Sequence, residues 1–396
     1  MSVQPVSDPL PGSTMPSPTP RDGAGLDGFH DLGQLPLAKK YLNTPIDRVN
    51  EEIRKLKTHF GKRLVILGHH YQTDDIIQFA DFRGDSFQLA REAARIPEAE
   101  FIVFCGVHFM AESADVLAQP NQTVILPDLN AGCSMADMAS IGQVEAAWEV
   151  LHAQAPGRKI IPVTYMNSTA AIKAFCGRNG GIVCTSSNAA KVLDWAFIKQ
   201  SADACFFFPD EHLGRNTAAK MGVPLDKMQV WDPHVRFGGI PAPAAAEAKM
   251  LLWKGHCSVH MRFLPEHVTA VRKAIPGVIV VVHPECRKEV VDLADEAGST
   301  YYIQQRVERG NPGDKFAIGT EIHMVNRLAV SQAARGIDVR SLSPLQCLCS
   351  TMYRIDPPHL WWVLEELAQG HVVNRIKVDD RTKADARIAL ERMLAV

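Results

Sequence analysis

The chain has 396 residues, 46% of them hydrophobic and 22% charged, which suits a soluble globular protein and, at roughly 100–200 residues per domain, two to four domains. Its 42 Lys+Arg against 44 Asp+Glu leave a formal net charge of -2, without the basic excess that marks a nucleic-acid binder. Apolar runs such as Val278–Val282 fall far short of the ~20 residues that span a bilayer, so a membrane protein is not expected either.

Residues 1–36 hold seven prolines and few large apolar side chains, which reads as a disordered tail over about 1–40. The stretch has one Arg and four Asp, the wrong balance for a mitochondrial address, and no apolar segment for a secretory signal. A cytoplasmic location with reduced thiols follows as the expectation. Order is expected from Thr44-Pro45, a cap followed by proline at the first helical position, and Ile46, Val49, Ile53 and Leu56 then form an apolar helical stripe.

Beyond that point one pattern recurs three times. Leu64–Leu67 reads as a short buried strand ending in Gly68-His69-His70-Tyr71, with a helical pattern from Asp74 and Gly84-Asp85-Ser86 opening a second helix. Lys159–Val163 is the next such strand, ending in Thr164-Tyr165-Met166-Asn167, followed by a helix and by Thr185-Ser186-Ser187-Asn188 before another. Val278–Val282 ends in His283-Pro284-Glu285, its helix is read over Lys288–Glu296, and Gly298-Ser299-Thr300 opens the last. The interval from His69 to Ser86 is 17 residues, from His283 to Thr300 again 17, and from Tyr165 to Ser186 it is 21. A second strand follows in each unit, at Phe101–Phe104, Ala204–Phe208 and Lys315–Ile318.

Alternating strands and helices imply parallel sheets covered on both faces, with polar residues gathered at the strands' carboxyl ends. The expected fold is therefore α/β: three pseudo-threefold-related α/β/α units with short parallel sheets around a common site. The units are placed at 41–132, 133–235 and 236–345, with 346–396 as a loop and C-terminal helices that pack back. One large doubly wound sheet is the competing architecture.

Nine cysteines are too many to ignore, and each unit reaches one in a glycine-rich or polar turn: Cys133, Cys257, and Cys347 or Cys349. Three thiolates with no fourth protein ligand suit an iron–sulfur cluster with one iron open to substrate, although zinc also accepts three cysteines and water. Cys105, Cys176, Cys184 and Cys205 lie in apolar patterns and read as small buried hydrophobes. Cys286, beside Glu285, is a possible additional ligand, and spacing does not choose between Cys347 and Cys349.

His69, Tyr71, Tyr165, Asn167, His283 and Glu285 emerge directly after strands, where imidazoles, phenols and a carboxylate can bind acids or move protons. Ser86, Ser186 and Thr300 sit at helix mouths. Taken singly each reads as an N-cap; converging, they would offer hydroxyls and positive helix ends to carboxylates or a phosphate. Asp210, His212 and Arg215 read as structural or supporting, and Trp361-Trp362 as packing. No Walker or dinucleotide glycine fingerprint is present.

These motifs, in this order, resemble the quinolinate synthase family over about residues 45–380. The stretches that carry the likeness are Gly68-His69-His70-Tyr71-Gln72, Ala80–Ser86, Cys105–Glu112, Pro127–Cys133, Thr164–Ser168, Gly255–His260 and His283-Pro284-Glu285. The resemblance implies a [4Fe-4S] cluster on Cys133, Cys257 and Cys349, the last favoured over Cys347 by its C-x-x-M pattern with Met352. It implies substrate binding by His69, Ser86, Tyr165, Met166, Asn167, Ser186, His283, Pro284, Glu285 and Thr300. Tyr71, Glu285, His69 and Tyr165 become the candidates for catalysis. The implied reaction joins iminoaspartate and dihydroxyacetone phosphate to give quinolinate for NAD biosynthesis. A functional link to an aspartate oxidase or dehydrogenase would supply the first substrate, with no nucleic-acid or membrane partner. His70 departs from the Tyr or Asn commoner in relatives.

Overall fold

A computed structural model describes residues 33–396 apart from 94 and 96. Most of the tail expected over 1–40 lies outside the described residues. Within them the chain is already helical at Lys39–Asn43, and Gln34 accepts the Leu129 N–H at 2.8 Å. The first long helix, Ile46–Phe60, begins one residue after the expected start, with Pro45 in the cap position, and buries Val49, Ile53 and Phe60.

Three separate sheets follow. The first holds β1 (Leu64–His69), β2 (Phe82–Gly84), β3 (Phe101–Cys105) and β4 (Thr123–Ile125). The second holds β5 (Ile160–Tyr165), β6 (Ile182–Cys184), β7 (Ala204–Phe208), β8 (Met228–Trp231) and β9 (Met250–Trp253). The third holds β10 (Ile279–Val282), β11 (Glu296–Ala297), β12 (Lys315–Gly319) and β13 (Asp338–Ser341). A last strand, β14 (Arg375–Ile376), joins the first sheet antiparallel to β4. Strand orders are β14-β4-β3-β1-β2, β6-β5-β7-β9-β8 and β11-β10-β12-β13, so one four-strand parallel arrangement occurs three times. The single doubly wound sheet is thereby excluded. Strands β1, β5 and β7 are buried along their whole length, which is why they read as unbroken apolar runs rather than alternating ones.

Two expectations need correction. The second sheet extends to Trp253, so the boundary drawn at 235–236 falls inside it. The helix read over Lys288–Glu296 stops at Leu293. Asp295 takes the Val280 N–H on its carboxylate at 2.7 Å and donates its own N–H to the Val280 carbonyl at 2.9 Å, drawing Glu296–Ala297 into the sheet. Asp81 makes the same pair of bonds to Ile66, both at 2.8 Å, so the local rule repeats between units.

The C-terminal segment returns to two units. Helix Pro357–Ala368 packs on Ile46–Phe60, with Trp361 edge-on to Tyr41 at 4.8 Å between ring centroids. Helix Asp380–Ala395 crosses Ala170–Arg178 of the second unit at Gly177, where a Cβ would lie 1.8 Å from the Asp385 carbonyl oxygen. No described helix is long and apolar enough to cross a membrane.

Candidate active site

The carboxyl ends of the three sheets open on one cavity. Register explains how each unit delivers a pair of groups to it. His69 ends β1 opposite Gly84, Tyr165 ends β5 opposite Cys184, and Val282 ends β10 opposite Ala297. Ser86, Ser186 and Thr300 follow two or three residues beyond those edge-strand partners, and all three line the cavity beside His69, Tyr71, Tyr165, Asn167, His283 and Glu285. Met166 and Pro284 do not line it. Each lies between two lining residues, Met166 in the bend that follows β5 and Pro284 in the turn that follows β10. The Met166 sulfur sits 3.5 Å from Ser113 Oγ, and the Pro284 carbonyl accepts the Asn216 amide at 2.8 Å.

The three hydroxyls are not caps. Around Ser86 the capping box is made by Asp85, whose carboxylate accepts the Gln88 N–H at 2.9 Å while Gln88 Oε1 accepts the Asp85 N–H. At Thr300 the cap is Ser299, whose Oγ accepts the Tyr302 N–H. Beside Ser186, Asn188 Oδ1 accepts the Thr185 N–H at 2.7 Å. Neighbours carry out the structural work, which leaves the hydroxyls of Ser86, Ser186 and Thr300 facing the cavity.

Cys133, Cys257 and Cys349 line the same cavity, each in the same local turn. A one-turn helix starts three residues after every one of them, at Ala136, His260 and Met352. The N–H four residues on donates to the cysteine carbonyl in all three, from Asp137 at 3.2 Å, Met261 at 3.0 Å and Tyr353 at 3.1 Å. The N–H groups of Ala136, His260 and Met352 are directed at the sulfurs, favouring thiolate, as in metal–sulfur centres. Cys347 lacks this turn, donates to the Leu345 carbonyl at 3.5 Å and does not line the cavity. Cys286 likewise turns away, toward the Gly319 carbonyl. Cys105, Cys176, Cys184 and Cys205 are fully buried, as expected.

Burial dominates the electrostatics. It pushes the Cys133 thiol up to about 12 and raises Cys257 and Cys349 as well, so these sulfurs lose their protons only against a cation. The donor set therefore fits a thiolate-held metal centre. A mixed set is also close at hand: donor atoms of Cys257, His260 and Glu285 lie within 4.8 Å of one another. Burial lowers His69 and His283 to about 3, so both imidazoles are neutral at pH 7. Burial opposes ionisation of Glu285, but the polar groups packed against it, His283, His260 and Tyr165, favour the anion and lower its pKa. Burial and then the Glu285 charge drive Tyr71, Tyr165 and Asp210 well above their ordinary values. Glu285 is thus the ionised carboxylate, and Asp210, which also caps helix Glu211–Lys220, is the neutral one. Asn167 Oδ1 and Glu285 Oε1 are buried without partners, as expected of groups that await a polar ligand. No Lys or Arg lines the cavity among the described residues.

Sequence reading missed two buried residues here. His260 lies behind the wall with Nδ1 2.6 Å from Glu285 Oε2 and its ring stacked on His283 at 4.4 Å. Thr320 hydrogen-bonds the Tyr71 hydroxyl at 2.9 Å. Thr320 directly follows β12, so the strand-end rule applied to that strand finds it. His260 carries no signal beyond its place in the Cys257 turn.

Three repeated α/β units delivering hydroxyls, imidazoles, phenols and three turn-held thiols to one cavity define an α/β enzyme built around a thiol-lined centre. The family profile described as "Quinolinate synthetase A protein" matches residues 51–395. The chain is 57% identical to the quinolinate synthase of Acidobacterium capsulatum over 357 residues, covering 90% of this chain and 95% of the relative. It is 55% identical to that of a Nocardioides species over 351 residues (87% and 89%) and 48% to that of Rhodopirellula baltica over 398 (98% and 99%). The chain belongs to the quinolinate synthase family of enzymes.

Proposed function

We propose that this enzyme condenses iminoaspartate with dihydroxyacetone phosphate to form quinolinate, phosphate and two waters, a step of NAD biosynthesis, with a [4Fe-4S] cluster on Cys133, Cys257 and Cys349. The observation that carries this reading is the threefold cysteine turn facing the same cavity as the strand-end polar residues. When bound, such a cluster supplies an iron with an open position, a Lewis acid for a substrate hydroxyl or carboxylate.

The chain's own groups account for the rest. Ser86, Ser186 and Thr300 offer hydroxyls at helix mouths, and neutral His69 can donate to a carboxylate, so an anionic substrate is held without Lys or Arg. Asn167 Oδ1, buried and unpartnered, can accept from the imine nitrogen or a hydroxyl. Glu285, ionised and with Oε1 free, is the base that takes protons. Tyr71 and Tyr165, held as neutral phenols, are donors for the departing hydroxyls. Val107, Phe109 and Met110 give the cavity an apolar wall, which keeps water from the hydrolysable imine. Such a substrate requires a nearby aspartate-oxidising enzyme to produce it.

An anaerobic assay of purified protein with both substrates tests the reading, and quinolinate is the expected product. The Cys257, His260 and Glu285 grouping supports a second reading, a zinc-dependent lyase. Stoichiometric zinc without iron or sulfide in the active protein would establish that alternative.

A further inference from the structure

Among the described residues, Lys173 is the one Lys or Arg that is fully buried. It stands on helix Ala170–Arg178, and its Nζ donates to the Ser168 carbonyl. The same ammonium lies over the Phe109 ring, 5.4 Å from the centroid, and that ring lines the cavity. No carboxylate among the described residues comes within ion-pair distance of it. The acid that pulls most strongly on it, Glu112 of helix His108–Leu117, spends Oε2 on the Ala170 N–H at 2.9 Å. A buried charge without a counter-ion is costly. Burial accordingly lowers Lys173 to about 8, against the opposing pull of Glu112, Cys176 and Cys133, yet leaves it charged at pH 7. Cys133 is one of the three cavity sulfurs, so the charge is felt at the centre itself.

The anions this charge complements are those the cavity is suited to receive. Three thiolates around an iron–sulfur core leave that centre negative, a dicarboxylate adds to it, and no described Lys or Arg lines the cavity. In a wall of low dielectric a cation acts on such groups without touching them. The contact with Ser168 fixes where the charge sits. Ser168 Oγ donates to the Tyr165 carbonyl at 2.8 Å and its N–H to the Met166 carbonyl at 2.8 Å, so the ammonium is tied to the bend that presents Tyr165 and Asn167. We propose that Lys173 is a positioning residue whose buried positive charge, set behind the Phe109 wall, balances the anionic centre and favours doubly charged ligands. The inference rests on the thiolate centre and dianionic substrate proposed above. Lys173 makes and breaks no bond in the reaction; it lowers the energy of the anions gathered in front of it.

The test uses the full chain, anaerobically reconstituted with iron and sulfide contents matched, as wild type, Lys173→Met and Lys173→Gln, with thermal midpoints recorded. Lys173→Met keeps an apolar stem of similar length and removes the charge. Lys173→Gln is also neutral but keeps an amide donor for the Ser168 carbonyl. Calorimetric titration compares a four-carbon diacid with its half-amide. Coulomb energy scales with the charge on the ligand, so both variants should bind the diacid about tenfold more weakly and the half-amide only about threefold. The cluster's midpoint potential, read by redox titration, should move to more negative values in both. A purely structural lysine gives another pattern: Lys173→Gln restores affinity, or the two ligands weaken equally, with the potential unmoved. Either result overturns the proposal while leaving the proposed reaction intact, as does loss of the fold in both variants. A wild type that takes up no iron–sulfur cluster and binds no diacid overturns the proposed function and this inference together.

Discussion

Ser299 and Thr300 are adjacent, hydroxyl-bearing and nearly fully buried, yet the structure gives them different tasks that substitution can separate. Ser299 Oγ caps helix Thr300–Glu308 by accepting the Tyr302 N–H at 3.2 Å, while Thr300 lines the cavity. Loss of a serine cap costs about 1 kcal/mol. At about 2 cal/mol/K of unfolding entropy per residue, a chain this long converts that into a fall in thermal midpoint of about 1–2 °C. Ser299→Ala should show that fall and leave ligand affinity within about twofold. Thr300→Val keeps side-chain shape and the cap but removes a hydroxyl proposed to hold a substrate carboxylate. A hydrogen bond to a charged group contributes about 1.5–3 kcal/mol, so affinity should weaken by about 10- to 150-fold. Ser86→Ala should behave like Thr300→Val, because Asp85 caps its helix. Differential scanning of the apoprotein and calorimetric titration with a stable four-carbon dicarboxylate measure the two quantities. If Thr300→Val shifts the midpoint as much as Ser299→Ala while affinity stays unchanged, the division of labour is wrong.

Three further outcomes are expected. If the proposed cluster is present, Cys133→Ser, Cys257→Ser and Cys349→Ser should each lose its visible absorbance after reconstitution, whereas Cys347→Ser and Cys286→Ser should keep it, because those two sulfurs turn away from the cavity; full absorbance in Cys349→Ser would refute the third ligand. Gly177→Ala places a methyl 1.8 Å from the Asp385 carbonyl, backbone against backbone, so destabilisation of at least about 1–3 kcal/mol is expected in denaturant melts, and an unchanged midpoint would mean the C-terminal helix is not seated as described. His69 and His283, lowered to about 3, stay neutral when folded but take up protons when unfolded as pH falls below about 6.5. The unfolded state then binds more protons, so stability is lost on acidification, by about 2 kcal/mol per histidine between pH 6.5 and 5. A thermal midpoint of the apoprotein that is flat across that window would contradict their burial as neutral rings.

Much of the site is legible because it obeys local rules. An apolar run such as Leu64–Leu67 commits a strand, the residue at its carboxyl end meets the ligand side, and a constant interval of 17 residues returns the chain with a hydroxyl in the first and third units. The errors also have local causes. Helical periodicity carried Lys288–Glu296 too far because a single side chain, Asp295, redirects the chain by bonding Val280 on another strand. Met166 and Pro284 belong to the strand-end motifs as sequence, but the bend after β5 and the turn after β10 leave both out of the cavity lining.

The amino-acid order by itself determined the three α/β units, their strand-end polar groups and the presence of one turn-borne cysteine in each. Those depend on contacts between residues close along the chain, where hydrophobic period and turn chemistry suffice. Folding in three dimensions decided which of Cys347 and Cys349 reaches the centre, which hydroxyls are caps and which face ligand, and that His260 and Thr320 stand behind Glu285 and Tyr71. The last of these is set by groups up to 249 residues apart brought within hydrogen-bond reach, which no local pattern encodes. The caps and cysteine turns are closed by near neighbours, but which side chain faces the cavity depends on where the three units meet.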